Sequence, residues 1–292
     1  MKSVAILSLG LMGGSLGLAL KRAGGVTVHG FTRSRETGEQ ALARHAIDHF
    51  HADARNAVRD ADVVVCCAPI LSIPQQLAAV VDSLKPGAII TDVGSTKAAL
   101  QQECVRLLSG RDAVFVGSHP IAGSEQQGIS AARADLYQQA MVVITPDRGA
   151  AAPAISAVRR LWEMIGAVVV EMSASEHDGI LAATSHLPHM MASLLAATIG
   201  RYGTRSDLPR FCGAGYRDTT RIATGGTGIW VDILKTNRLP VATELKEFRA
   251  KLNELIEKLE ASDFSAIENI LEAGKNARQS FNQYGHQSNS EE

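Results

Sequence analysis

Through residue 172 the apolar positions fall into short β-rich runs separated by helical patterns. The runs cover residues 4–7, 27–31, 62–67, 88–92, 114–116, 141–145 and 168–172. Between them, residues 14–22, 74–84, 97–108 and 153–165 carry apolar side chains at helical spacing. Pro74 and Pro153 suit a first helical turn. This alternation predicts a parallel sheet covered by helices on both faces. Beyond residue 173 the strand signal disappears. Residues 176–200 read as one long apolar helix, bent near Pro188, and Gly225-Gly226-Thr227-Gly228 reads as a joint. Leu245, Leu252, Leu255, Ile256 and Leu259, then Ile267, Ile270 and Leu271, recur at helical spacing.

Composition narrows the class. The 292 residues carry a net charge of -1, which gives no global attraction to nucleic acid or an anionic membrane. Of the four cysteines, Cys66 and Cys67 are adjacent inside an apolar run, and Cys104 and Cys212 stand alone. That pattern predicts neither a disulfide framework nor a zinc site. No apolar run approaches the ~20 residues that cross a bilayer, and no secretory pattern opens the chain, so a cytoplasmic protein is expected. A helical half this apolar is expected to bury its surplus in a homodimer.

The chemistry starts at the first strand. Ser8-Leu9-Gly10-Leu11-Met12-Gly13 is a dinucleotide fingerprint that has lost its first glycine to Ser8. Gly10 lets backbone approach a pyrophosphate, Gly13 allows close helix–strand packing, and the amides of Leu11 and Met12 open the helix that holds the phosphates. Glycines serving only a tight turn are the alternative. The predicted architecture is therefore an α/β Rossmann-type dinucleotide-binding domain over 1–172. An all-α substrate and dimerisation domain over 173–285 and a polar tail over 286–292 are expected to follow. Where NAD enzymes place an acid against the ribose, this chain has Thr32-Arg33-Ser34. Two hydroxyls and a guanidinium can hold a 2′-phosphate, so NADP is expected as cofactor, with NAD possible. Simple solvation of Arg33 at a helix start is the alternative. Ala68 and Pro69, past the third strand, complete the expected cofactor contacts.

Three further segments should meet near the nicotinamide. Asp92-Val93-Gly94-Ser95-Thr96-Lys97 follows one strand, and Gly117-Ser118-His119-Pro120-Ile121-Ala122-Gly123-Ser124-Glu125 reads as a loop after the next. The helical half adds Glu176-His177-Asp178, Ser185-His186-Leu187-Pro188-His189 and Arg217-Asp218-Thr219-Thr220-Arg221-Ile222-Ala223. Ser95 could also cap the Lys97 helix, and His177-Asp178 could be no more than a helix start with favourable first-turn charge. His186 and His189 could in principle bind zinc, but Pro188 lies between them and no cysteine is near, so no metal is expected.

Taken in order, GxxGGS, DVGSTK, HPIAGSE, EHD, SHLPH and RDTTRIA resemble the prephenate/arogenate dehydrogenase family of tyrosine biosynthesis, from Val4 to about Leu259. The resemblance implies oxidative decarboxylation of a cyclohexadienyl alcohol, with arogenate or prephenate as substrate and hydride transfer to NAD or NADP. It implies His119 as the catalytic histidine, Ser95 as the hydroxyl that orients it, and Arg221 and His189 as substrate groups. It also implies Lys97 near substrate or cofactor, and Glu125 and Trp230 at the mouth of the pocket, with Trp230 open to contribution from either subunit of a dimer. An unperturbed imidazole titrates near ~6.5, and the base is expected not far from that value. The helical pattern ends near residue 280, so no appended regulatory domain is expected. A β-hydroxyacid dehydrogenase is the nearest alternative, but its interdomain helix generally carries a lysine, and residues 176–200 contain none. A non-catalytic NADP sensor would keep the glycine loop without needing His119, Ser95 and Arg221 together.

Overall fold

The computed structural model describes residues 1–123, 126–202 and 207–287, with side chains through residue 281. Eight strands form one sheet: β1 (Ser3–Leu7), β2 (Thr27–Phe31), β3 (His49–His51), β4 (Val63–Cys66), β5 (Ala88–Asp92), β6 (Ala113–Pro120), β7 (Met141–Pro146) and β8 (Val168–Glu171). Their order across the sheet is β3-β2-β1-β4-β5-β6-β7-β8. Chain order reverses at β1, and crevices at such a reversal take ligands. Helices α1 (Leu11–Ala23), α2 (Arg35–Ala43), α3 (Ala54–Val58), α4 (Ile73–Val80), α5 (Ala98–Leu107) and α6 (Ala152–Glu163) connect the strands. Two apolar clusters lie on opposite faces of the sheet: Ile6, Val28, Val65 and Trp162 belong to one, and Leu7, Val64, Ile90 and Leu77 to the other. This is the doubly covered sheet that the alternation predicts.

The sheet is not wholly parallel. β6 pairs in parallel with β5 through Phe115, then antiparallel with β7, which places His119 opposite Val143. The histidine predicted to sit in a loop is therefore on a strand that continues to Pro120. Its backbone is fixed by a ladder on one side while the other side has run past the end of β5. Gly117 is required at this crossover, since a Cβ there would lie 2.5 Å from Thr145 Oγ1. Sequence patterning also missed β3, α2 and α3. Each is short, and β3 is the polar His49-Phe50-His51 with no apolar alternation to reveal it.

From Ala174 to Gly200 the chain is one continuous helix with a local change of pitch. α7 (Ala174–Leu181) runs into a π-turn at Ala182–His186 and then α8 (Leu187–Gly200). Pro188 cannot donate to the preceding turn and crowds its carbonyls, and a π-turn is one of the ways a helix absorbs that. By length and apolar composition this 27-residue helix could cross a bilayer, contrary to the expectation from sequence. Its N-terminal part nevertheless carries buried His177, Asp178 and His186. Further on come α9 (Ala214–Thr220), α10 (Thr227–Thr236), α11 (Arg238–Glu260) and α12 (Phe264–Gln287). The expected joint at 225–228 is the tight passage from a 3-10 turn into α10.

By compactness the chain divides into two units, Met1–Val241 and Ala242–Glu292, with the division falling within α11. The smaller unit holds the rest of α11 and α12, joined at Ser262 with φ 54 and capped by Asp263 Oδ1 on the amide of Ala266. Residues 288–292 of the expected tail lie outside the described residues.

Candidate active site

The dinucleotide loop shows what each glycine does. A Cβ on Gly13 would stand 2.0 Å from the Ser8 carbonyl oxygen, and one on Gly14 would stand 2.3 Å from Ile129 Cδ1. These glycines let α1 pack against its surroundings. A Cβ on Gly10 would meet nothing within 4 Å, so space is open above the N-terminus of α1, where a diphosphate would be held. Ser8 adopts φ 82, the left-handed backbone that the usual glycine takes without strain. It is fixed there by its amide on Phe31 O at 2.8 Å and by Gln76 Nε2 donating to its hydroxyl at 3.0 Å. The loop therefore keeps the fingerprint's shape without its first glycine.

A cavity of about 320 Å³ opens over this loop, lined by Gly10, Leu11, Met12, Ala68, Pro69 and Ser95 among others. A second cavity of about 730 Å³ is lined by His119, Ser95, His189, Arg221 and Trp230. Ser95, Gly123, Gln127, Ile229 and Ile233 line both, so the two spaces adjoin. Sequence-predicted cofactor residues thus border one space, and predicted catalytic and substrate residues border its neighbour. Thr32 and Arg33 line a separate cavity of about 410 Å³ with Phe50 and Ala52. Glu39 and Arg35 also line it, and they pair with each other at 2.8 Å. Ser34 caps α2, its hydroxyl accepting from the amide of Thr37 at 3.2 Å. Glu125 lies outside the described residues.

His119 Nδ1 lies 2.8 Å from His177 Nε2, and His177 Nδ1 lies 2.8 Å from Asp178 Oδ1. Asp178 also accepts the amide of Lys97 on Oδ1 at 2.7 Å and the amide of Ala98 on Oδ2 at 2.9 Å. The carboxylate of α7 is thus the N-cap of α5, the part that sequence offered to Ser95. Ser95 instead turns to the two cavities, and the partner of the His119 ring is His177. Asn237 Nδ2 donates to Asp178 O at 2.8 Å and meets His186 Nδ1 at 3.2 Å. None of His177, Asp178 and Asn237 stands out by composition. EHD was visible as a motif, but its reading as a helix start was sufficient by itself, and Ser173 does cap that helix.

Burial, then the charge of Lys97 and the neighbouring His177 and His186, hold the His119 ring well below the ordinary imidazole value. Burial likewise brings His186 down to about 4, against the opposing pull of Asp178. Both rings are uncharged at neutral pH, and a base near ~6.5 is not what this site provides. His189, which also lines the His119 cavity, donates from Nδ1 to the Ser185 carbonyl at 2.9 Å. Its ring lies 3.8 Å from that of Trp230 in the same chain, tilted by 31°. Among the described residues no group of three or more His, Cys, Asp or Glu is set to hold a metal ion.

Lys97 does not reach the substrate cavity. Its ammonium is buried, paired with Asp92 and donating to Ser118 O at 2.9 Å. Asp92 also accepts the amides of Gly94 at 2.7 Å and Ser118 at 3.0 Å. The pair thereby ties the Ser95 loop to the His119 strand.

A family model for the nucleotide-binding domain of prephenate dehydrogenase matches residues 16–171, and one for its dimerization domain matches residues 173–273. The chain belongs to the prephenate dehydrogenase family. Cyclohexadienyl dehydrogenase of Zymomonas mobilis is 36% identical over 87% of this chain and 87% of its own. Prephenate dehydrogenase of Aquifex aeolicus, solved with hydroxyphenyl propionate and NAD+, superposes with a TM-score of 0.88 at 30% identity over 96% of this chain and 98% of that one. Synechocystis arogenate dehydrogenase gives 0.84 at 28% identity over 96% of this chain and 99% of that one. The chain is an NAD(P)-dependent oxidoreductase with a dinucleotide-binding half and a half of the dimerization type.

The place of Lys97 makes a prediction. Replacing it with methionine strands a buried Asp92 carboxylate, and breaking a buried pair from one side typically costs ~3–5 kcal/mol. Denaturant unfolding of Lys97→Met should show a loss of this size, with the Michaelis constant for substrate nearly unchanged in protein that remains folded. A raised Michaelis constant at unchanged stability would place the ammonium on the substrate after all.

Proposed function

We propose that this enzyme converts prephenate, arogenate or both to 4-hydroxyphenylpyruvate or tyrosine by oxidative decarboxylation, with NADP as the preferred hydride acceptor. One observation carries the reading. An uncharged, half-buried histidine and an arginine border one cavity, which adjoins the space over the dinucleotide loop. The glycine geometry fits a dinucleotide, and the bound nicotinamide would accept the hydride from C4. His119 takes the C4 hydroxyl proton, and loss of the C1 carboxylate as carbon dioxide leaves a phenolate, to which His119 returns it. No net proton is gained or lost, so the histidine must be a base first and an acid second. Arg221 offers a planar fork to a substrate carboxylate, better suited to it than a point charge. His189 lines the same cavity as a substrate-binding group, and Trp230 backs its ring.

For the cofactor, Arg33 has no ion-pair partner among the described residues and borders a cavity with Thr32, where a 2′-phosphate could sit. Among the described residues lining that cavity, the carboxylate of Glu39 is paired with Arg35. Homodimerisation is supported by apolar side chains left exposed in each compact unit. Leu194, Ile229 and Leu239 lie in the larger one, and Phe264, Leu271 and Phe281 in the smaller.

The reaction is tested by mixing protein, NADP or NAD, and prephenate or arogenate. Reduced cofactor should appear together with the aromatic product, and no turnover of either substrate with either cofactor, in folded protein, would refute the reading. His119→Asn should lower kcat by ~10²–10⁴, the usual worth of a general base, with little change in substrate affinity. Arg221→Lys should mainly raise the substrate Michaelis constant. Because the His119 pKa is lowered, the base stays competent as pH falls through 6.5, so the acid limb of kcat/KM should lie below the ordinary imidazole value. A limb at or above that value would contradict the burial argument.

Arg33→Ala should raise the Michaelis constant for NADP by about one to two decades, the worth of a charge-assisted hydrogen bond, and leave that for NAD nearly unchanged. Equal effects on both would make Arg33 structural. Light scattering at micromolar concentration should return a dimer; a monomer would remove the proposed use of the exposed apolar faces.

A further inference from the structure

The proposed reaction needs His119 to present a lone pair to the substrate, but an imidazole has two nitrogens and can protonate either. One nitrogen, Nδ1, is occupied by His177 at 2.8 Å, so Nε2 is the atom left for the cavity. Which of the two carries the proton is decided further back. Asp178 receives backbone amides on both oxygens, from Lys97 at 2.7 Å and Ala98 at 2.9 Å, and therefore acts as an acceptor. Against such an oxygen His177 Nδ1 must donate. With a single proton on its ring, held at Nδ1, His177 has its lone pair on Nε2, facing His119 Nδ1, which must donate in turn. The direction of the whole chain follows from two amides at the start of a helix.

We propose that His177 and Asp178 are positioning residues for the reaction: they fix His119 as its Nδ1–H tautomer, so that Nε2 faces the substrate as the base. When Nε2 takes the hydroxyl proton, the positive charge on His119 is stabilised through the Nδ1–H bond to His177 and the Asp178 anion behind it. When the phenolate forms, the same proton leaves from Nε2. His177 sits wholly buried and borders neither cavity, so it acts through His119 and not on substrate. Asp178 is held from behind by Asn237 on its carbonyl, and its cap on α5 keeps it from rotating away. This inference rests on the proposed reaction, but the tautomer itself is a property of the resting protein and can be read without turnover.

Two variants separate orientation from mere packing. Glutamine at 177 offers a carbonyl to His119 Nδ1–H and an amide N–H to Asp178, which reproduces the direction of the chain without a second imidazole. Leucine fills space and offers neither. Nitrogen-15 spectra of the histidine rings at neutral pH should show His119 as Nδ1–H in the wild type and in His177→Gln, and a shift toward Nε2–H in His177→Leu. With prephenate or arogenate, His177→Leu should lose about 10–10³-fold in kcat, at most what a misoriented general base costs, with the substrate Michaelis constant within about threefold. His177→Gln should retain most of the wild-type kcat. Thermal unfolding of both variants checks that the loss is not one of fold. A wild-type His119 that reads as Nε2–H, or a folded His177→Leu with unchanged kcat, would overturn the proposal. If the wild type turns over neither substrate while the spectra behave as stated, the proposed reaction fails and the tautomer assignment stands.

Discussion

An α-helix that begins inside a protein leaves amide groups without partners, and something must accept from them. At the start of α5 that acceptor is Asp178, eighty-one residues further along the chain than Lys97, whose amide it binds. A local cap would have closed the helix equally well, and Ser95 stood in the right place for one. By using a carboxylate from α7, the fold brings the first turn of the long apolar helix against the sheet at the strand ends. His177, one residue earlier, then reaches the His119 ring, and His186 on the following π-turn is held through Asn237. Remove the Asp178 carboxylate and the cap, the ring orientation and the seating of the helix all lose their common anchor.

The other fixed point is the switch of partner along β6. Up to Phe115 the strand belongs to the parallel sheet, and after it the backbone ladder runs on the β7 side. His119 therefore emerges beyond the end of β5, beside the Ser95 loop, on backbone that is still hydrogen-bonded. A base on a ladder has less freedom than one on a loop, and orientation of reacting groups carries much of a catalyst's effect. The buried pair of Lys97 and Asp92 crosses the same gap and ties loop to strand.

Much of this was legible in the sequence. The strand and helix periods, the glycine loop and the order of motifs led to the architecture. They also singled out His119, Ser95, Arg221, His189 and Trp230, which the structure brings to one cavity. What was not legible has a common cause. Pattern reading works on neighbours, and the missed features are made by residues distant in sequence: the cap from Asp178, the partner of His119, the pair that occupies Lys97. The resemblance put Lys97 near substrate or cofactor, yet Asp92 five residues earlier was the better clue to its partner. β3 escaped because it is only three residues long and sets His49 and His51 beside His29 where an apolar alternation would have revealed a strand.

Placing Lys97 away from substrate does not remove it from the chemistry. Its charge is one of the influences that keep His119 unprotonated, second only to burial. Were the ammonium alone, it would be costly in so closed a place, and Asp92 offsets that cost while leaving a directional field. His119 then sits between two anions with different duties. Asp92 neutralises a lysine behind it, and Asp178 stabilises the imidazolium that forms only during turnover. A resting base that is uncharged, with a counter-ion engaged through His177 and not in direct contact, can accept a proton and give it back without either state becoming a trap. That balance suits a reaction whose first step takes a proton and whose last returns it.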